Sequence, residues 1–408
     1  MWGNVIEEGY GLHCDATIHL GCETDPERLA SAVETVLLAH PSVDARLTEV
    51  NGKLRWKQGD MKNVRPFIEK VTRGEYDELR KTIRRYMNKP ETRMFNTRIF
   101  EITEPDGSIS RDFYFDFLHP IADGSSIEIF LDEINTVYSG GTTEPEPFSI
   151  FDYYDRIEEE IGSEKYEKER EWNSKFVRSF TDKLSCLTGD LVCGEDENVT
   201  KDIFVPLKVD LAAVDRFTEE TKVSIASLLA AAYGFVVGNC NGEKAAVGLS
   251  IYSARDDERY ARTFGAVYRH YPLCVKWTDD MSSADFVRNT QENIMLCRLH
   301  ALYEADPVPI DAGFVYQGED LDDLFDFCGG KALYDEIEDY EEEGFDFFIH
   351  RRRDDLYCNL TYNSLRYSDK FVADFLSDYA DVIHALVSGT SPSGIYIATP
   401  QNIGMKKN

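Results

Sequence analysis

Residues 113–134 read FYFDFLHPIADGSSIEIFLDEI. Phe113, Phe115 and Phe117 alternate with Tyr114, Asp116 and Leu118, which is the two-residue period of a strand. Apolar groups stand on both faces, so a central strand covered on both sides is expected. Pro120 has no N–H to give to a ladder, so the strand should end at His119. An imidazole then emerges at the carboxyl end of a strand, the rim where α/β layers keep their ligand sites. Gly124 offers a backbone conformation closed to other residues, and Ser125 and Ser126 are candidates to cap the helix that follows. The free N–H groups at that helix start make a ready place for an oxyanion or a phosphate. The same residues also fit a plain structural role, a strand-end histidine that only packs beside an ordinary Asp-Gly turn.

Working outward, a strand is read at 12–20, with Cys14, Ala16 and Ile18 on one face. Asp25 caps a helix that opens with Pro26, carries Leu29, Val33, Val36 and Leu37 at helical spacing, and stops at His40 before Pro41. His40 is read as a helix-end residue near the C-terminal dipole rather than a catalyst. Strands are expected around KLRWKQ, VRPFIEKVT, MFNTRIFEIT and RDFYFDFLH, with a helix over YDELRKTIRRYMNKP and one from Ser125 to Gly140. Residues 139–200 change character, from a turn-rich stretch to a strongly charged helical one, and then a loop at VCGEDENVT. A second unit of similar make-up follows, with the apolar helix SIASLLAAAYGFVVGNC largely buried and strands near 245–253, 266–277, 312–318, 345–353 and 356–363. The expectation is an α/β (α+β) fold in two similar halves: residues 1–165, a linker helix and loop at 166–200, and residues 201–408.

Composition bounds the function. The 408 residues carry 75 acidic against 44 basic groups, a formal net charge of −31. Such a field repels nucleic-acid backbones and anionic lipid, so neither is an expected partner. No segment reaches the ~18 consecutive apolar residues of a membrane helix, and the first residues lack the basic and apolar regions of a signal peptide. The nine scattered cysteines, with no Cys-x-x-Cys pair, suit reduced thiols in a cytoplasmic protein. No histidine pair has zinc spacing, and no phosphate loop, Gly-x-Gly-x-x-Gly or Gly-x-Ser-x-Gly element is present. The acidic stretches 319–326 and 334–346 are read as solvated loops, and the basic run 350–353 as local charge balance. His13 and His19 are read as structural or exposed, and His270 as a packed histidine that could line a tunnel.

HPIADG resembles the His-x-x-x-Asp-Gly motif of the chloramphenicol acetyltransferase superfamily, which includes non-ribosomal peptide condensation domains and alcohol acetyltransferases. The resemblance runs over almost the whole chain. It takes in the helix leading to His40-Pro41 and an Arg-bearing strand, the PFSIFDYYDR and EREWNSKF linker, the KVSIASLLAAAYGFVVGNCNGEKAAVGLSIYSARDD core with FGAVYRHYPLCVKW, and the closing LTYNSLRYSDKFVADFL.

The resemblance implies two acetyltransferase-like subdomains in a V around a channel, with His119 near its middle as the general base. It implies that Asp123 is structural and paired to an arginine from the second half, for which Arg255 is the candidate, and that Gly124 is the motif's turn glycine. Ser125, Ser126, Tyr252 and His270 are candidates to line the oxyanion site or the substrate channel. The implied reaction moves an acyl group from a coenzyme A or phosphopantetheine thioester to a hydroxyl or amine, with a small-molecule acceptor and an acyl or peptidyl carrier protein as expected partners. No metal and no permanently bound cofactor are implied.

The chain departs from the pattern. Leu118 stands where condensation domains have a first histidine, Arg269 where they often have Asn, and an Asp-Phe-Gly-Trp-Gly motif is absent. A stand-alone acyltransferase is the leading expectation. Its alternatives are a non-catalytic binding protein with a degenerate site and a hydrolase that uses water as acceptor.

Overall fold

The computed structural model describes residues 13–51, 53–83, 92–180, 187–191, 199–303, 305, 312–319, 324–336, 344–352 and 355–399. The first residues, the loop read at 192–200 except its end, the last part of the helix read over 76–90, Arg353 and parts of both acidic stretches lie outside the described residues.

In chain order the elements are β1 (His13–Leu20), α1 (Pro26–Ala39), β2 (Ala45–Val50), β3 (Lys53–Gln58), β4 (Phe67–Thr72), α2 (Arg73–Arg80), β5 (Phe95–Thr103), β6 (Ile109–Leu118), α3 (Gly124–Tyr138), α4 (Ile150–Glu160) and α5 (Glu164–Arg178). There follow β7 (Thr200–Leu207), α6 (Leu211–Thr221), α7 (Ile225–Cys240), β8 (Ala245–Ser253), β9 (Tyr268–Lys276), α8 (Ser283–Leu299), β10 (Ala312–Glu319), β11 (Leu324–Phe327), β12 (Gly330–Glu336), β13 (Phe345–Arg352), β14 (Asp355–Asn363) and α9 (Asp369–Val387). One mixed sheet has the order β11-β12-β1-β6-β5-β4, and a second the order β7-β14-β13-β10-β8-β9. The chain divides into two compact units. The first takes the described residues up to Glu158, the segment Ser253–Tyr268 and the β11–β12 hairpin, and the second takes the rest. Two pieces from the C-terminal half of the sequence therefore belong to the first unit.

The first unit is built on β6. Phe113, Phe115 and Phe117 are fully buried and pack with Phe130 of α3, at ring separations of 5.1–6.3 Å. On the other face Tyr114 and Asp116 are buried as well, so the strand is central. The neighbouring β1 runs antiparallel to it, from His13 opposite Leu118 to Leu20 opposite Arg111. Asp15 and Thr17 of β1 are buried alongside Ala16 and Ile18, so this strand too is covered on both faces. α1 forms for the expected reasons. The Asp25 carboxylate accepts from the N–H groups of Glu27 and Arg28, Pro26 opens the helix, and its apolar stripe is buried up to the His40 cap.

The β11–β12 hairpin corrects the sequence reading, which took 319–326 and 334–346 as solvated loops although 324–326 and 334–336 lie in these strands. Leu324–Phe327 and Gly330–Glu336 form a ladder, and β12 joins β1 with Ala16 opposite Glu336. Cys328 and Gly329 turn the chain with φ of 49° and 81°, a two-residue turn with both centres left-handed. Cysteine rarely holds that conformation. Here Cys328 donates its N–H to Asn135 Oδ1 at 2.9 Å and its carbonyl accepts from Thr24 Oγ1 at 3.3 Å. The strongly charged helical stretch of residues 153–180 falls in two helices, α4 and α5. Gly162, with φ of 86°, ends the first, and Ser163 caps the second.

In the second unit α7 is apolar on all sides and buried, as expected. No single described helix is long and apolar enough to cross a membrane. The seven described cysteines are free thiols, of which only Cys22 is exposed. Arg351 pairs with Asp215 at 3.3 Å, and the Arg352 guanidinium lies 4.9 Å from the Phe204 ring centre, which fits the charge-balance reading of that run.

Gly234 lies inside α7 against β9, where an added Cβ would fall within the Val275 side chain. Alanine in a helix interior normally gains up to about 1 kcal/mol over glycine. Here the overlap decides the sign, and Gly234→Ala is expected to lower stability by about 1–3 kcal/mol. Urea unfolding followed by circular dichroism checks this, and an unchanged or raised midpoint would contradict the packing described.

Candidate active site

β6 ends at Leu118, and His119–Ile121 make one turn of 3-10 helix, closed by the Ala122 N–H on the His119 carbonyl at 3.3 Å. His119 is half-buried. Its ring meets that of Tyr268 edge to face, with centres 5.4 Å apart. Its Nδ1 is buried without a hydrogen-bond partner among the described residues. A buried ring nitrogen left unpaired is costly, and natural sites that keep one usually have a use for it.

The cap of α3 differs from the sequence reading. Asp123, not Ser125 or Ser126, is the N-cap. Its Oδ1 accepts from the Ser126 N–H at 2.9 Å, and Ser126 Oγ returns a 3.3 Å contact to the Asp123 N–H. The carboxylate outcompetes the hydroxyls because it satisfies more donors at once. Gly124 is the first residue of the helix and its φ is not positive, so the special conformational freedom expected there is not used. A Cβ added at Gly124 would meet nothing within 4 Å. Ser125 is partly exposed and Ser126 is buried.

Asp123 has further partners. Arg255 reaches it through two parallel bonds, Nη1 to Oδ2 at 2.8 Å and Nη2 to Oδ1 at 2.9 Å. Ser126 Oγ donates to Oδ1 at 2.7 Å and the Val267 N–H to Oδ2 at 3.0 Å. Arg255 Nη2 also donates to the carbonyls of Thr263 and Gly265, both at 3.0 Å. Each partner's side chain is only 8% exposed. The pairing expected from the sequence is present, with one correction. Arg255 lies in Ser253–Tyr268, which belongs to the first unit, so the clasp fastens the β8–β9 connection onto the unit that carries His119. Gly265 has φ of 152°, and a Cβ there would come within 2.7 Å of the Ile150 side chain. One helical turn further along α3, burial and the carboxylates of Asp132 and Asp123 raise the Glu128 pKa above the usual range, with Arg255 pulling the other way.

Tyr252 and His270 lie in the second unit. The Tyr252 hydroxyl donates to the Arg298 carbonyl at 3.2 Å, and the Arg298 guanidinium stands 4.5 Å from its ring centre. His270 is exposed on β9, an edge strand of its sheet, which corrects the expectation of a packed histidine. His13 and His19 are structural, bonded through Nδ1 to Asp116 at 2.7 Å and Asp112 at 2.8 Å. The Asp112 hydrogen bond raises the His19 pKa against the opposing effect of burial. Sequence reasoning missed Tyr268, which only the fold of 253–268 brings to His119. Among the described residues no group of three or more His, Cys, Asp or Glu could hold a metal ion.

The family model for the condensation domain matches residues 4–394. Among solved structures, the SgcC5 protein from Streptomyces globisporus superposes with a TM-score of 0.70 at 17% identity, over 94% of each chain. The epimerization domain from the third module of tyrocidine synthetase B gives 0.73 at 14%, over 92% of each. The first condensation domain of the calcium-dependent antibiotic synthetase, solved with a substrate analogue, gives 0.70 at 14%, over 98% of this chain and 97% of that one. No curated protein matches the chain. With the family model covering nearly all of it, the chain belongs to the condensation-domain family, whose members generally transfer acyl or peptidyl groups between carrier-bound substrates.

Proposed function

We propose that this protein is an acyltransferase that moves an acyl group from a thioester to a hydroxyl or amine, with His119 as the general base. The observation that carries the reading is the His119 ring at the end of β6, its Nδ1 buried and unpartnered, beside a clasp that fixes the following turn. A neutral imidazole takes the proton of the acceptor O–H or N–H as the oxygen or nitrogen adds to the thioester carbonyl. The new C–O or C–N bond then holds, the C–S bond breaks, and the proton passes to the departing sulfur. The clasp leaves the N–H groups of Gly124 and Ser125 outside the Asp123 cap, where they can meet the developing oxyanion. The donor is a phosphopantetheine thioester on a carrier protein or on coenzyme A.

Leu118 does not argue against this reading. It is buried at the end of β6, opposite His13, and the base role needs only the ring that follows it. Tyr252 and His270 are proposed as substrate-lining residues on the resemblance alone.

His119→Ala is expected to lower kcat/KM for acceptor-dependent thiol release by roughly 10²–10⁴, the usual weight of general base catalysis, with an unchanged melting curve. Activity within a few-fold of the parent would remove His119 as the base, and a parent protein that releases no thiol with any acceptor would leave a non-catalytic binding protein as the better reading. Thiol release that ignores the added alcohol or amine would instead indicate a hydrolase.

Asp123→Asn breaks a buried, bidentate ion pair and leaves the Arg255 charge uncompensated. A stability loss of about 3–5 kcal/mol is expected. Denaturant unfolding measures it, and a loss under about 1 kcal/mol would show that the clasp does not hold the turn.

A further inference from the structure

His40 sits at the C-terminal end of α1, only 1% exposed, with a carboxylate on each ring nitrogen. Nε2 is 3.0 Å from Glu133 Oε2 of α3, and Nδ1 is 3.3 Å from Glu146 Oε2. A neutral imidazole has one N–H and one lone pair, so one of these contacts would set a lone pair against a carboxylate. Only the imidazolium satisfies both. The surroundings agree in charge. Arg262 binds Glu133 Oε1 at 2.7 Å, so two carboxylates face two cations, and loss of the His40 proton leaves an excess negative charge in a buried site. Burial lowers the His40 pKa, and the bonds to Glu133 and Glu146 outweigh it, for a net rise. Despite its own burial, Glu133 is held down to about 2 by His40, Thr143 and Arg262.

The network runs from there to the active-site turn. Glu146 Oε2 accepts the Phe264 N–H at 3.0 Å, and Ser42 Oγ donates to Glu146 Oε1 at 2.6 Å and lies 3.1 Å from the Phe264 carbonyl. The next residue, Gly265, donates its N–H to Ser126 Oγ at 3.1 Å, and Val267 donates to Asp123. The Phe264 ring lies 5.8 Å from that of His40. Every link is in the first unit.

We propose that His40 is a positioning residue for the His119 site: its imidazolium holds Glu146 and Glu133, and through them the 262–267 backbone that supports Asp123. The catalytic part of this inference rests on the acyl-transfer reading. A histidine with a raised folded pKa stabilises the structure fully below about pH 6.5, its unfolded value, and that contribution is lost as pH rises through the folded value. The brace therefore loosens on the alkaline side. The descending limb of the rate profile then belongs to His40.

Amide hydrogen exchange on the full chain tests this without substrate, corrected for intrinsic rates between pH 6 and 9. In the parent protein, protection at Phe264, Gly265 and Val267 should fall as pH rises, while β13 and β14 stay protected. In His40→Gln it should be at least tenfold lower already at the acid end, and the alkaline limb of kcat/KM should vanish. Glu146→Gln, a milder change, should move the loss of protection to lower pH. A folded His40→Gln whose 262–267 exchange and rate profile match the parent would overturn the proposal, as would a Glu146→Gln transition that does not move. If exchange follows His40 but the parent protein transfers no acyl group, the brace stands and the acyl-transfer reading falls.

Discussion

One carboxylate, Asp123, takes five hydrogen bonds: two from the Arg255 guanidinium, two from Ser126 and one from the Val267 amide. A buried charge is tolerated only when its lone pairs are filled, and here they are. The consequences spread from that point. The Asp123 side chain caps α3, so the helix start is fixed. The Arg255 side chain gathers the Thr263 and Gly265 carbonyls, so 253–268 is fixed on the same unit. Tyr268, at the end of that segment, then meets His119. The base of the proposed reaction is thus held indirectly, by a lock one turn away from it.

The parts of this arrangement readable from the sequence are those set by local chemistry. Pro120 ended β6, Asp25 and Pro26 opened α1, and the alternation of 113–118 marked a strand buried on both faces. The Asp123–Arg255 pair was expected only through family resemblance, because nothing local links residues 132 positions apart. What local rules missed is also physical. Asp123 displaced Ser125 and Ser126 as the cap because a carboxylate that also binds arginine outcompetes a hydroxyl. The β11–β12 hairpin was hidden because its turn uses Cys328, held left-handed by Asn135 and Thr24, side chains about two hundred and three hundred positions away. No window of sequence contains those partners. His270 was misplaced because an edge strand exposes residues that a central strand would bury.

His40 shows a different limit. Its position was read correctly as a helix end, yet a dipole argument gives a histidine there at most a weak preference for charge. The two carboxylates that face it come from α3 and from the segment before α4, and they make the charged form the only one that fits both contacts.

The threading of the chain has a consequence for synthesis. Arg255 and β12 complete the first unit, but they leave the ribosome long after β1, β6 and α3. Until residue 336 has emerged, β1 lacks its β12 neighbour along Ala16–His19, and until residue 255 emerges, Asp123 lacks its cation. A nascent chain therefore carries a bare strand edge and an uncompensated charge, the first a template for mispairing and the second a brake on premature closure. N-terminal folding has to wait for C-terminal pieces, so a fragment cut near residue 165 is an unfinished unit rather than a smaller version of it.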